Sequence, residues 1–212
     1  MLENGNQRGK FIVFEGIDGS GKSTQVRILQ ERLKAAGVYC DTTMEPTGSP
    51  IGSLIRQVLT GRLKMDKRVI ASLFTADRLD HLLNDVNGIL AEINQGITVI
   101  SDRYYFSSYA YQGVDLPQER LVRDNEICSD ILRPSLNIYI DISPDVAMER
   151  IAKNRFQQEL FEKKAFLVQV YQKYREAFAK LEQEENVVII DGNRSEQEVA
   201  NEIWLEVSRL LS

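Results

Sequence analysis

The sequence predicts an α/β fold, an open parallel five-stranded sheet with helices on both faces and a small lid, organised around a P-loop. Three observations carry that expectation. Short apolar runs alternate with longer stretches of helical period. The runs are continuously apolar or β-branched, as strands covered on both faces are. The first run leads straight into Gly16-Ile-Asp-Gly-Ser-Gly-Lys-Ser23, which fits the pattern GxxxxGK[ST] at every fixed position.

Taken in order, strands are expected at Phe11–Glu15, Val38–Thr43, Ile97–Ser101, Leu136–Ile142 and Val187–Asp191. After the first strand, Val26, Leu29, Leu33 and Ala36 share one helical face, and Gly37 stands where a helix would end. Ile51, Leu54, Ile55, Val58 and Leu59 mark a short helix opened by Pro50 and closed near Gly61. Val69 to Ile93 reads as one long helical stretch, bent near Gly88. Pro117–Leu132 opens on a proline at the first turn and stops before Pro134. Pro144–Lys153 and Phe161–Glu184 are separated by a polar hinge at Asn154–Glu159. The last helix carries Val199, Ile203, Val207 and Leu210 on one stripe. In such a sheet the ligand sits beyond the carboxyl ends of the strands.

The 212 residues predict a single domain over 1–212, with a lid at about 150–162. Lys and Arg number 26 against 31 Asp and Glu, a net charge of −5 that argues against nucleic acid as a partner. Cys40 and Cys128 lack motif spacing, and with one histidine they make a Cys/His zinc site a poor fit. No apolar run reaches membrane-spanning length, and Met1–Lys10 is too polar for a signal or an anchor. A cytoplasmic protein with no membrane partner is the expectation.

The chemistry is expected at the P-loop. Its glycines let backbone N–H groups of Gly16, Ile17, Asp18, Gly19, Ser20, Gly21, Lys22, Ser23 and Thr24 curl around nucleotide phosphates at a helix N-terminus. Lys22, solvent-facing in the empty loop, would reach the β- and γ-phosphates, and Ser23 would ligate Mg²⁺. Thr98-Val-Ile-Ser-Asp102-Arg103 delivers an acid and an arginine at the carboxyl end of a buried strand. Asp102 suits the metal and Arg103 a second phosphate. Phe74 and Arg78 lie one helical turn apart, an arrangement that can stack a base and bond its edge, although the pair alone reads first as a core ring beside a solvated arginine. His81 reads as a capping or surface residue. A guanine-reading Asn-Lys-x-Asp is absent from the sequence.

At this point the chain resembles the thymidylate kinases, which phosphorylate dTMP to dTDP. The resemblance rests on Phe14–Thr24, Leu73–Arg78 and Asp102–Gly113, in that order. It implies ATP and Mg²⁺, a homodimer, and roles for particular residues. Asp18 would hold the deoxyribose 3′-hydroxyl, Phe74 would stack on thymine, and Arg78 would bond O4. Ser108 would meet the base edge, and Tyr111 would crowd the sugar C2′. Arg103 would bind the acceptor phosphate, with Asp102 as its magnesium-linked partner. Some family members carry a P-loop arginine where this chain has Gly19, so the charge is expected from the lid, at Arg155 rather than Arg150. Many members also have an arginine before the loop proline; here Met44-Glu45-Pro46 stands instead, and Arg56 is the expected compensation.

Two rivals remain open on sequence. A deoxyribonucleoside kinase would use Glu45 as general base toward a hydroxyl acceptor. A nucleotide-dependent switch would act on a partner rather than on an acceptor.

Overall fold

The structure, a computed structural model, describes residues 8–151 and 157–211. Among these residues five strands form one parallel sheet: β1 (Phe11–Glu15), β2 (Cys40–Met44), β3 (Thr98–Asp102), β4 (Leu136–Asp141) and β5 (Val187–Asp191). Their spatial order is β2-β3-β1-β4-β5. β1 is central, with Phe11 opposite Val99 on one side and Ile12 opposite Leu136 on the other. The connecting helices are α1 (Lys22–Ala35), α2 (Pro50–Leu59), α3 (Lys67–Leu83), α4 (Ile89–Asn94), α5 (Tyr105–Tyr111), α6 (Gln118–Ile131), α7 (Pro144–Ile151), α8 (Gln157–Leu181) and α9 (Glu196–Leu211).

The two-residue period of β1 divides the core. Phe11 and Val13 face a layer built from Tyr105, Phe106, Tyr174 and Phe178 of α5 and α8. Ile12 and Phe14 face Leu29, Leu33, Ile203 and Val207 of α1 and α9. Both faces are therefore covered, and the carboxyl edge of the sheet stays open to loops.

Four expectations from sequence need correction. β2 is not a buried strand: it lies at a sheet edge, its residues half-buried or exposed, with Met44 61% exposed. Its Asp-Thr-Thr center already lacks the apolar content that double coverage demands. The stretch from Val69 to Ile93 is two helices rather than one. Asn84 leaves helical geometry at ψ 127° and its side-chain oxygen accepts from the Val86 N–H at 3.0 Å, a local turn that outcompetes helix continuation. α8 begins at Gln157, so the expected polar hinge is helical from that residue on; Gln-Gln-Glu-Leu are good helix formers. α6 begins at Gln118, with Pro117 outside it as the capping residue.

α2 and α3 start where chemistry places them. Ser49 accepts from the Gly52 N–H ahead of Pro50, and Asp66 accepts from the Arg68 N–H.

Candidate active site

The P-loop joins β1 to α1. Gly16 has φ +149°, and a β-carbon there would lie 2.9 Å from the Ile140 carbonyl oxygen of β4. Gly19 has φ +85°, and a β-carbon would lie 2.9 Å from the Ala147 carbonyl oxygen of α7. A side chain at position 19 would thus run into α7, which is a physical reason for glycine there. Ile17 and Ser20 are buried, and Thr24 follows half-buried on α1.

Lys22 is not solvent-facing. It is 6% exposed, and its Nζ donates to the carbonyl oxygens of Gly16 at 3.0 Å and Ile17 at 3.2 Å. The ammonium folds back on its own loop, because a buried charge needs acceptors. Burial, with the Arg103 charge, pulls its pKa down to about 8, against the opposing pull of Asp102, Asp18 and Glu15.

Ser23 and Asp102 meet as expected: the Ser23 Oγ donates to Asp102 Oδ2 at 2.6 Å. Asp102 Oδ1 is buried and has no hydrogen-bond partner among the described residues. Hard oxygen donors beside a phosphate-binding loop suit Mg²⁺, which keeps several waters and needs only one or two protein ligands.

Next to the P-loop lies a cavity of about 380 Å³ that opens between α3, α5 and α8. At its phosphate end Arg103 follows β3 with φ +81°, a left-handed conformation uncommon for a residue with a β-carbon. Its Nη2 reaches Asp18 Oδ1 at 2.7 Å, and its guanidinium carbon lies 4.8 Å from the centre of the Tyr111 ring. The Tyr111 hydroxyl donates to Asp18 Oδ1 and accepts from the Asp18 N–H, both at 3.0 Å. Tyr111 therefore lines the cavity with its hydroxyl on Asp18 while its ring packs against Phe166 and Tyr174. Burial raises the Asp18 pKa, but Arg103, Lys22, Tyr111 and Lys163 together hold the carboxyl below its ordinary value. Lys163 stands 4.0 Å from Asp18 Oδ2.

At the other end Phe74 is half-buried and lines the cavity with Arg78 and Ser108. Arg78 is 1% exposed and almost fully engaged. It pairs with Glu45 Oε2 at 2.7 Å, donates to Ser108 Oγ and the Tyr104 carbonyl oxygen at 3.2 Å, and bonds the Asn125 side chain. His81 is buried rather than a surface cap: Nδ1 lies 3.2 Å from Glu45 Oε1 and Nε2 lies 2.6 Å from Thr43 Oγ1. Asp77 accepts from the Thr47 N–H, the Thr47 hydroxyl and the Ser49 hydroxyl, pinning the loop after β2 against α3.

Arg56 is not brought to this cavity. Its Nη1 donates to the carbonyl oxygens of Pro46 at 3.0 Å and Thr47 at 2.5 Å, so it braces the loop from outside. Arg150 donates to the carbonyl oxygens of Ser20 and Gly192, linking the P-loop to the turn after β5. Arg155 lies outside the described residues.

Comparison with known proteins decides the family. A family model described as thymidylate kinase matches residues 14–203. The chain is 37% identical over 194 residues to the probable thymidylate kinase of Methanocaldococcus jannaschii, covering 91% of this chain and 93% of the relative. It is 35% identical over 198 residues to the thymidylate kinase of Leptospira interrogans, covering 93% of each. A thymidylate kinase from Symbiobacterium thermophilum is 38% identical over 207 residues, 95% of this chain and 94% of the relative. The chain belongs to the thymidylate kinase family. The match spans the P-loop, both ends of the cavity and the first half of α9, so it includes the residues of the candidate site.

The sequence reading missed groups that line the cavity or hold its residues in this family member. Gln112, within the matched block after Asp102, lines the cavity with a buried Oε1 that has no partner among the described residues. Glu45, singled out only as a base, and Asn125, not singled out at all, hold Arg78. A polar residue one turn from a named one was the available signal for Gln112; Asn125 gave none, since α6 is distant in sequence.

Proposed function

We propose that this thymidylate kinase family member transfers the γ-phosphoryl group of ATP to the phosphate of dTMP, giving dTDP for dTTP synthesis. One observation carries the reading: one cavity is lined by Phe74 and Arg78 and also by an arginine and an acid, Arg103 and Asp18, beside the P-loop. At the base end, the remaining N–H of Arg78 suits a carbonyl oxygen. Gln112, which also lines the cavity, carries a buried acceptor with no partner among the described residues; such an acceptor suits an imide N–H, which thymine has and cytosine lacks. Tyr111, fixed through its hydroxyl to Asp18, fills space beside the sugar.

The acceptor phosphate is already ionised near neutrality, with a second pKa of about 6, so no protein base is required. Glu45 is unsuited to that role in any case, because both its oxygens are engaged by Arg78 and His81. The protein aligns donor and acceptor and spreads cationic charge around them. Lys22 leaves the loop carbonyls for donor phosphate oxygens. Arg103 holds the acceptor phosphate, and Asp18 exchanges part of its arginine contact for the 3′-hydroxyl. Ser23 and Asp102 would hold Mg²⁺, which when bound neutralises charge on the transferring phosphates. The lid at about 150–162, with Arg155 supplying charge to the donor, a homodimer and a cytoplasmic setting complete the proposal. For the described part of the chain, no helix is long and apolar enough to cross a membrane.

A coupled assay offering dTMP, dUMP, dGMP, AMP and thymidine with ATP tests this directly. Turnover should be highest with dTMP and negligible with thymidine. ATP turnover independent of any acceptor would favour the switch reading, and preference for thymidine would reinstate the nucleoside kinase.

A further inference from the structure

Arg103 is held by groups to which phosphoryl transfer gives no part. Glu15 ends β1 one residue before the P-loop and is fully buried. Its Oε1 accepts from the backbone N–H of Tyr104 at 2.9 Å and of Ser107 at 3.2 Å. Its Oε2 accepts from the Ser107 hydroxyl at 2.6 Å and the Tyr174 hydroxyl at 2.8 Å. Four donors satisfy a buried carboxylate.

The two N–H groups lie at the start of α5, which has no side-chain cap from its own capping residue, Tyr104. Glu15 supplies that cap from a distant strand, and its charge suits the helix N-terminus. Arg103 is the residue just before this capped turn, in the left-handed conformation already noted. The same hydroxyls also reach its guanidinium: Arg103 Nη1 lies 3.0 Å from Ser107 Oγ and 3.4 Å from the Tyr174 hydroxyl. One carboxylate thus fixes the backbone on one side of Arg103 and, through two hydroxyls, the charged end on the other. Tyr174 comes from α8, so the network ties the helix that follows residues 152–156 to the phosphate end of the cavity.

We propose that Glu15, acting through Ser107 and Tyr174, is the positioning residue that aims Arg103 at the acceptor phosphate. The proposal rests on the reading of Arg103 as a phosphate ligand. A group that only orients Arg103 loses its effect once Arg103 is gone, whereas a merely structural carboxylate does not. Tyr174→Phe removes one hydroxyl and keeps the ring, and Glu15→Gln keeps the shape but turns one acceptor into a donor.

The experiment measures kcat, KM for dTMP and thermal midpoint in Glu15→Gln, Tyr174→Phe, Arg103→Ala and the two doubles with Arg103→Ala. The expected result is a kcat loss of about a hundredfold in Glu15→Gln and about tenfold in Tyr174→Phe, the size of a lost transition-state contact or part of one. KM for dTMP should stay within about twofold, because uniform binding at the base end is untouched. Neither change should add to the loss in the Arg103→Ala background. Losses that multiply there, or an unimpaired kcat in both single variants beside an impaired Arg103→Ala, overturn the positioning role. Should Glu15→Gln fail to fold, Tyr174→Phe and its double decide by the same criteria. Wild-type kcat in Arg103→Ala would instead remove the phosphate role itself, and the proposal with it.

Discussion

Each end of the cavity carries an arginine–carboxylate pair with an N–O separation of 2.7 Å, yet the two pairs do opposite work. Arg78 and Glu45 are 1% and 2% exposed; Arg78 also bonds Asn125, Ser108 and the Tyr104 carbonyl oxygen, leaving one N–H, and Glu45 also meets His81. Arg103 and Asp18 are 19% and 43% exposed, and water reaches the acid. The buried pair cannot come apart without leaving a charge in a low-dielectric site. The wetter pair can release one contact to a ligand at little cost. Specificity for a flat, neutral base calls for a fixed donor, whereas a charged phosphate that changes during reaction calls for groups that can rearrange. Distance alone would have called the pairs equivalent; burial separates them.

The largest test of that contrast is stability. Glu45→Ala strands the buried Arg78 charge and should cost about 3–5 kcal/mol in urea unfolding. A loss below about 1 kcal/mol, the scale of an exposed pair, would erase the distinction. Arg103→Ala should leave stability nearly intact and lower kcat about 10²–10³-fold, as removal of a transition-state donor does. Steady-state kinetics with dTMP varied would expose a misassignment as a change in KM alone. Tyr111→Ala should lower the kcat/KM ratio of dTMP over its ribo analogue by about tenfold or more, since it opens filled space beside the sugar. An unchanged ratio would return the ring to ordinary packing.

A smaller effect depends on pH. Burial, with the Arg103 charge, pulls the Lys22 pKa down to about 8, below its ordinary value of 10.5. Between those values the folded chain has released a proton that the unfolded chain keeps, so this group's contribution to stability rises with pH there. Phosphate needs the charged form, so kcat/KM for ATP should fall about tenfold per pH unit above 8. Lys22→Arg should abolish that limb; a flat profile to pH 9.5 in the parent would contradict the buried state of the ammonium. The smallest effect belongs to Asp18→Asn, which should change unfolding free energy by no more than about 1 kcal/mol. A larger drop would make the Arg103 pair structural after all.

Fold class and strand positions were legible because the P-loop spacing and the apolar runs are local signals. β1 and β5 fall on their expected residues, and the others shift by no more than about two residues, within ordinary boundary scatter. The break at Asn84 escaped because an apolar period continues across it, while the turn depends on one side-chain oxygen. At the site, Ser23, Asp102, Arg103, Asp18 and Tyr111 converge as the motifs imply. What sequence could not convey was which charges are buried. Lys22 and His81 were both expected near solvent, and neither spacing nor residue type encodes the loop carbonyls and the Glu45 oxygen that hold them. Arg56 points to the same limit: helix direction suggested a phosphate, and two backbone carbonyls took the guanidinium instead.

The central place of β1 also sets a clock for assembly. Its partners are β3 and β4, and Phe11 accepts from the Ser135 N–H, so the strand made first is completed only when distant segments exist. Gly16 turns against the Ile140 carbonyl, and Ser20 against Arg150, both made later still. At about 5–20 residues per second on the ribosome, the nucleotide loop waits on the order of ten seconds between its own synthesis and that of the strand it leans on. Until β3 is made Ile12 and Phe14 have no neighbouring strand to join, until β4 follows they lack the second, and long-range parallel pairing is slow to form. ATP can stabilise the finished enzyme by mass action, but it arrives too late to template it.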